Sequence, residues 1–162
     1  MTSEFRIEPA TEADVPAILR LIEGLAEYEK MADEVAATEQ RLRDTLFGPR
    51  RFAEVVVGYA GTEPAGFAVF FHNFSTFLGA PGLYLEDIFV EPRWRGHGFG
   101  KALLAHVAQA AVARGCGRLE WSVLDWNEPA IGFYKKLGAR PMDGWTTYRM
   151  TGDALAALSG GS

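Results

Sequence analysis

Between Leu83 and Lys101 the chain reads LYLEDIFVEPRWRGHGFGK, a stretch dense in residues that could do chemistry. Two adjacent acids, Glu86 and Asp87, interrupt an apolar run of Leu83, Tyr84, Leu85, Ile88, Phe89 and Val90. A carboxylate there can accept a proton from an ammonium group or hold one by charge. Pro92 ends the run, and Arg93, Arg95, three alternating glycines (Gly96, Gly98, Gly100) and Lys101 follow. A strand that passes through a glycine-spaced loop into a helix can hold a phosphate. Glycines let the backbone approach closely and take positive φ. Successive N–H groups then point inward, and the helix N-terminus adds partial positive charge. Arg93, Arg95 and Lys101 supply full charges. The spacing is not that of a dinucleotide fingerprint, because Lys101 stands where G-x-G-x-x-G needs its third glycine. Nor is it a Walker loop, because Ala102 follows Lys101 where Ser or Thr is required. The plainer alternative is a tight turn with no ligand; the strand before and the helix after favour the phosphate.

The elements that must position these groups are legible in the pattern. Phe5 to Pro9 reads as a short strand, and Thr11 with Asp14 as an approximate capping box for a helix whose apolar face is Ile18, Leu21, Ile22, Leu25 and Tyr28. Gly24 interrupts that pattern. Thr38 opens a second helix that Gly48 and Pro49 stop. Residues 53–59 and 65–73 form a hairpin around a turn at Gly61 to Pro64. Ser75 to Gly82 reads as a loop, partly apolar through Phe74 and Phe77, for packing or for a pocket wall. After the glycine loop a helix buries Leu103, Leu104, Val107, Ala111 and Val112 and ends near Gly115. Residues 118–124 are a strand; Asn127 or Glu128 starts another helix that Gly138 ends; Trp145 to Met150 reads as a last strand before a short amphipathic tail. Strand, two helices, three strands, helix, strand, helix and a closing strand make a mixed sheet, in which the strands before and after the long helix are parallel.

Bulk properties narrow the class. At 162 residues with 48% hydrophobic and 23% charged content, one soluble domain with a sizeable core is expected over residues 1–162. The net charge of −5 gives no basic field for nucleic acid. One cysteine, Cys116, rules out an internal disulfide, and His72, His97 and His106 lack metal-ligand spacing, so no metal is expected. No leader segment and no membrane-length apolar run is visible, which points to the cytoplasm.

The motifs together resemble the diamine (spermidine/spermine) N-acetyltransferases of the GNAT superfamily. Tyr84-Leu85-Glu86-Asp87-x-Phe89-Val90, Arg95-Gly96-x-Gly98-x-Gly100, Trp126-Asn127-Glu128-Pro129 and Phe133-Tyr134-Lys135-x-x-Gly138-Ala139 stand in that family's order and spacing. Arg6-x-x-x-Ala10-Thr11-x-x-Asp14 and Leu25-Ala26-x-Tyr28-Glu29 extend the match over nearly the whole chain. The resemblance implies an α/β (α+β) GNAT fold: a mixed, mostly antiparallel sheet splayed between strands 4 and 5, with helices on both faces. It implies acetyl-CoA as co-substrate, held by backbone groups of Ile88, Phe89 and Val90 at its pantetheine and acetyl end. Arg95 and the loop residues Gly96, His97, Gly98, Phe99, Gly100 and Lys101 would hold its diphosphate, and Asn127 would touch it near the pantetheine. It implies a homodimer.

Acyl transfer to an amine needs a proton acceptor, an oxyanion donor and a proton for the leaving thiolate. Glu86 is the candidate acceptor, directly or through water; its plainer role is a carboxylate paired with an arginine. Tyr134 is the candidate acid; its plainer role is packing with Phe133. The N–H of Phe89 or Val90 is the candidate oxyanion donor. Tyr28, Glu29, Glu86 and Asp87 suit a small cationic amine. The turn at Gly61 to Pro64 is shorter than in polyamine enzymes, and Phe77 replaces an expected tryptophan. Both differences leave room for a smaller diamine or a lysine-like amino acid. Two other readings compete: acetylation of a protein or peptide, and an acyl-CoA-binding sensor without catalysis.

Overall fold

A computed structural model describes residues 4–161. The strands are β1 (Phe5–Pro9), β2 (Glu54–Ala60), β3 (Glu63–Ser75), β4 (Ala80–Val90) and β5 (Leu119–Trp121). The helices are α1 (Val15–Tyr28), α2 (Glu39–Leu46), α3 (Phe99–Ala113), α4 (Glu128–Lys136) and α5 (Gly152–Leu158). The strands form one sheet in the order β1-β2-β3-β4-β5; neighbours are antiparallel except β4 and β5, which are parallel. Capping follows the sequence. The Thr11 N–H donates to the Asp14 carboxylate at 2.8 Å ahead of α1, and the Arg41 N–H donates to Thr38 Oγ1 at 3.1 Å at the start of α2.

Period-two alternation sorts the side chains of β2, β3 and β4 onto two faces. On one face Val55, Val57, Phe67 and Phe89 pack with Ile18, Leu21 and Leu25 of α1 and Leu46 of α2. Phe67 and Ile18 are fully buried, and burying each side chain stabilises the fold by about 1.5–3 kcal/mol. Gly66, next to Phe67, faces the other way: a Cβ there would meet Leu103 of α3 at 3.3 Å. Helices therefore cover both faces. Gly24 does not break α1. A Cβ at that position would stand 2.9 Å from the Phe89 ring, so its absence lets α1 settle close on β4.

β4 and β5 pair only from Leu83↔Leu119 to Leu85↔Trp121, while β4 runs on to Val90. Beyond Leu85 the two strands part, which is the splay expected between strands 4 and 5. The β3–β4 connection is tighter than expected. The strands reach Ser75 and resume at Ala80, and Phe77 at the tip is fully exposed.

The chain divides into two compact units, one ending at Leu124 and one beginning at Asp125. In the second unit α4 is capped by Asn127, whose Oδ1 accepts from the Ala130 N–H at 3.4 Å, with Pro129 in its first turn. Gly138, at φ 95, follows its C-cap. The expected last strand is not formed. Residues 145–150 have no ladder partner among the described residues, and Trp145 and Tyr148 are exposed at 82% and 93%. Strand-type residues do not make a strand without an edge to pair with.

Candidate active site

The pairing of β3 with β4 contains one irregularity, and it falls among the acids. Val69 pairs with Asp87, but Phe70 pairs with Leu85, leaving Glu86 without a partner across the strand. This is a β-bulge at Glu86. Its effect follows from parity. Leu85 and Ile88 pair with Phe70 and Ala68, so both take one face although they are three residues apart. Tyr84, Asp87 and Phe89 pair with Phe71, Val69 and Phe67 and take the other. Asp87 shares the α1 face with Phe89, two residues on, and the bulge absorbs Glu86 as the extra residue next to it.

The electrostatics confirm that these carboxylates crowd together. Asp87 is pushed up to about 7, first by burial, then by the charge of Glu86, then by that of Glu29. Glu29, just past the end of α1, is also raised by burial. Asp87 of β4 thus lies within electrostatic reach of Glu86 on the same strand and of Glu29 at the end of α1, and at neutral pH it holds a proton part of the time. α1 ends there in a tight C-terminal turn: the Met31 N–H bonds the Ala26 carbonyl at 2.8 Å, and Lys30 takes the left-handed conformation at φ 62.

Beyond Val90 a 3-10 turn at Pro92–Trp94 leads into the glycine loop. Gly96 and Gly98 have φ of 81 and 80, and a Cβ on either would meet nothing within 4 Å, so the backbone there is open to an approaching group. The first intrahelical bond of α3 runs from the Ala102 N–H to the Gly98 carbonyl at 3.1 Å. The amides of Phe99, Gly100 and Lys101 precede it and are those a helix offers to an external acceptor. The loop is stitched from within: His97 Nδ1 donates to the Arg95 carbonyl at 2.9 Å. That geometry fits a diphosphate.

Of the cations expected to add charge to this loop, Lys101 is exposed in the first turn of α3. Arg93 is engaged elsewhere, paired with Glu63 and with Glu91 at 3.6 Å. Arg95 folds back: its Nε donates to the Val90 carbonyl at 3.0 Å, and its Cζ lies 4.7 Å from the Tyr28 ring centroid. Tyr28 and Arg95 are therefore partners. Ile88 faces α3 with Val90, whose Cγ2 approaches Gly100. In the second unit Asn127 is buried at the α4 cap, and Tyr134 lies on α4 with its ring 5.8 Å from that of Phe133. Among the described residues no group of three His, Cys, Asp or Glu side chains could hold a metal ion, and no helix is long and apolar enough to cross a membrane.

Sequence reasoning missed the bulge and the course of Arg95. The bulge had a signal: Leu85 and Ile88 are three apart in a strand whose other apolar pairs on that face, Leu83 with Leu85 and Ile88 with Val90, are two apart. Arg95 had none, because a long side chain can turn either way from the same backbone.

A splayed sheet with an anion cradle after its fourth strand defines a class of acyl-transfer enzyme, and comparison with known proteins agrees. A profile described as the acetyltransferase (GNAT) family matches residues 18–139. A thialysine N-epsilon-acetyltransferase of Bos taurus is 39% identical, over 95% of this chain and 96% of its own length. An L-ornithine N5-acetyltransferase of Arabidopsis thaliana is 36% identical, over 94% of this chain and 87% of its own. An integron cassette protein from the mobile metagenome of V. cholerae superposes with a TM-score of 0.80 at 28% identity, covering 96% of this chain and 97% of its own. The chain belongs to the GNAT family and is an acyltransferase.

Proposed function

We propose that residues 1–162 act as one domain that transfers an acetyl group from acetyl-CoA to a primary amine of a small cationic substrate with a second ammonium group, such as a polyamine, a diamine or a lysine-like amino acid. The observation that carries this is the bulge in β4. It falls at Glu86, next to an Asp87 that lies on the face α1 covers and feels the charges of Glu86 and Glu29, on the same strand that leads into the anion cradle. Two relatives named for amino acids with a side-chain amine support the same substrate class.

When bound, acetyl-CoA supplies the thioester carbon that the amine attacks. The amides from Gly96 to Lys101 hold its diphosphate, and the edge of β4 at Ile88, Phe89 and Val90, left open where β5 departs, pairs with its pantetheine as an added strand would. Glu29 and Asp87 hold the distal ammonium and Glu86 takes the proton of the reacting one, directly or through water. The N–H of Phe89 or Val90 stabilises the developing oxyanion. Tyr134 returns a proton to the departing thiolate, and Asn127 lies near the pantetheine. The working unit is a homodimer, as the resemblance to the diamine N-acetyltransferases implies.

The test is a thiol-release assay with product mass spectrometry across thialysine, lysine, ornithine, putrescine, spermidine and short peptides. Acetylation of a diamino acid at its side-chain amine or of a diamine at a terminal amine is expected. Acetylation of peptides alone, or coenzyme A binding with no transfer to any amine, would replace this reading with one of its two competitors.

A further inference from the structure

Arg95 opens the glycine loop, yet its guanidinium leaves it. Nε donates to the carbonyl of Val90 at 3.0 Å, and Cζ lies 4.7 Å from the ring centroid of Tyr28 and 5.4 Å from that of Phe89. Val90 is the last residue of β4 and Tyr28 the last of α1. One side chain therefore ties together the strand that carries Glu86 and Asp87, the helix end that presents Tyr28 and Glu29, and the first residue of the anion loop.

We propose that Arg95 is a positioning residue for the amine pocket and not a ligand for the diphosphate. The end of α1 needs such a tie. Its last carbonyls carry partial negative charge, which a cation offsets. Its final turn includes Lys30 in the left-handed region at φ 62, a conformation that persists only when its surroundings hold it. Gly24 lets α1 settle close on Phe89, and the guanidinium continues that contact from the Phe89 ring to the Tyr28 ring. Only arginine does both jobs: its plane lies over a ring while an edge N–H reaches a carbonyl. Lysine keeps the charge and loses the plane. Methionine keeps much of the volume and loses both charge and donor.

The proposal rests on the amine-transfer reading for its kinetic arm alone. Arg95→Met and Arg95→Lys are made in the full chain. The first readout is amide hydrogen exchange at residues 27–31; both variants are expected to exchange faster there than the wild type, and unchanged protection would overturn the proposal. The second is calorimetric affinity for coenzyme A, expected to stay within about threefold of wild type; a larger loss would make Arg95 a diphosphate ligand and overturn it. The third compares acetyl-CoA with S-acetylpantetheine, which lacks the diphosphate. The amine KM is expected to rise about tenfold with either donor, with the wild-type preference between donors retained. A collapse of that preference, or an unchanged amine KM, would overturn the proposal. In a Tyr28→Ala background Arg95→Met should add little to the amine KM, whereas full additivity counts against it. Failure of the wild type to acetylate any amine would sink the reading of function and leave the exchange and affinity results to decide the role of Arg95.

Discussion

Asp87→Asn should make the protein more stable at neutral pH although it removes a titrating acid from the candidate site. In the folded chain Asp87 is pushed up to about 7 from an ordinary 3.8, chiefly by burial and then by Glu86 and Glu29. The difference, 7 minus 3.8, is about three units, and each unit is worth about 1.4 kcal/mol. The sign follows from proton counting. Between about pH 4 and pH 7 the folded state holds a proton that the unfolded state has released, so stability falls as pH rises through that window. The contribution is fully present below about pH 4 and is lost above about pH 7, for a total of about 4 kcal/mol. Asparagine matches the neutral acid in shape and does not titrate. Urea unfolding of both proteins across the window isolates the residue, because every other titrating group is common to the two. The stability of the asparagine variant relative to the wild type should rise by several kcal/mol from the acid to the neutral end. A difference that stays level with pH, or that falls, would refute the burial and crowding of Asp87.

Three further outcomes are expected. Glu86→Gln and Tyr134→Phe should each lower kcat by about 100-fold, the scale of general acid–base catalysis, with coenzyme A affinity by calorimetry near wild type; full turnover in both would remove the assigned roles. Gly98→Ala forces a Cβ onto a residue at φ 80 and should cost about 1–2 kcal/mol in urea unfolding while weakening coenzyme A binding; tighter binding would contradict the cradle. Gly24→Ala gains about 0.8–1 kcal/mol of helix propensity but places a methyl 2.9 Å from the buried Phe89 ring. Overpacking at about 1–3 kcal/mol should win, giving a lower urea midpoint and a higher amine KM, whereas net stabilisation would show that α1 has room to lift off β4.

Much of this architecture was legible in the sequence because local chemistry decides it. Thr11 with Asp14, Thr38 and Asn127 cap helices where their hydroxyls, carboxylate and amide reach free N–H groups. The run from Leu83 to Val90 is a strand because both its faces are covered, and β4 pairs with β5 in parallel across α3 as a strand–helix–strand unit must. What stayed hidden depends on distant parts of the chain. Trp145 to Met150 carries strand residues, but pairing is a property of two segments, and the pattern of one cannot supply its partner. Gly24 reads as a helix weakness until Phe89 is placed against it. The acids at the site were visible as types; the bulge among them turns on one residue of register between β3 and β4, which the pattern of one strand does not set. Arg93 and Arg95 looked alike beside the loop, and only tertiary structure sends one to Glu63 and the other to Tyr28.

The central claim is that a crowded carboxylate site draws a second positive charge of the substrate and so sets which amine receives the acetyl group. Its most direct test is the ratio of kcat/KM for putrescine to that for butylamine, a monoamine of equal length, at low ionic strength and again with added salt. A charge-assisted contact worth about 1.5–3 kcal/mol predicts a preference of at least tenfold for the dication, falling as salt rises. Equal rates for the two amines, or a preference indifferent to salt, would contradict it.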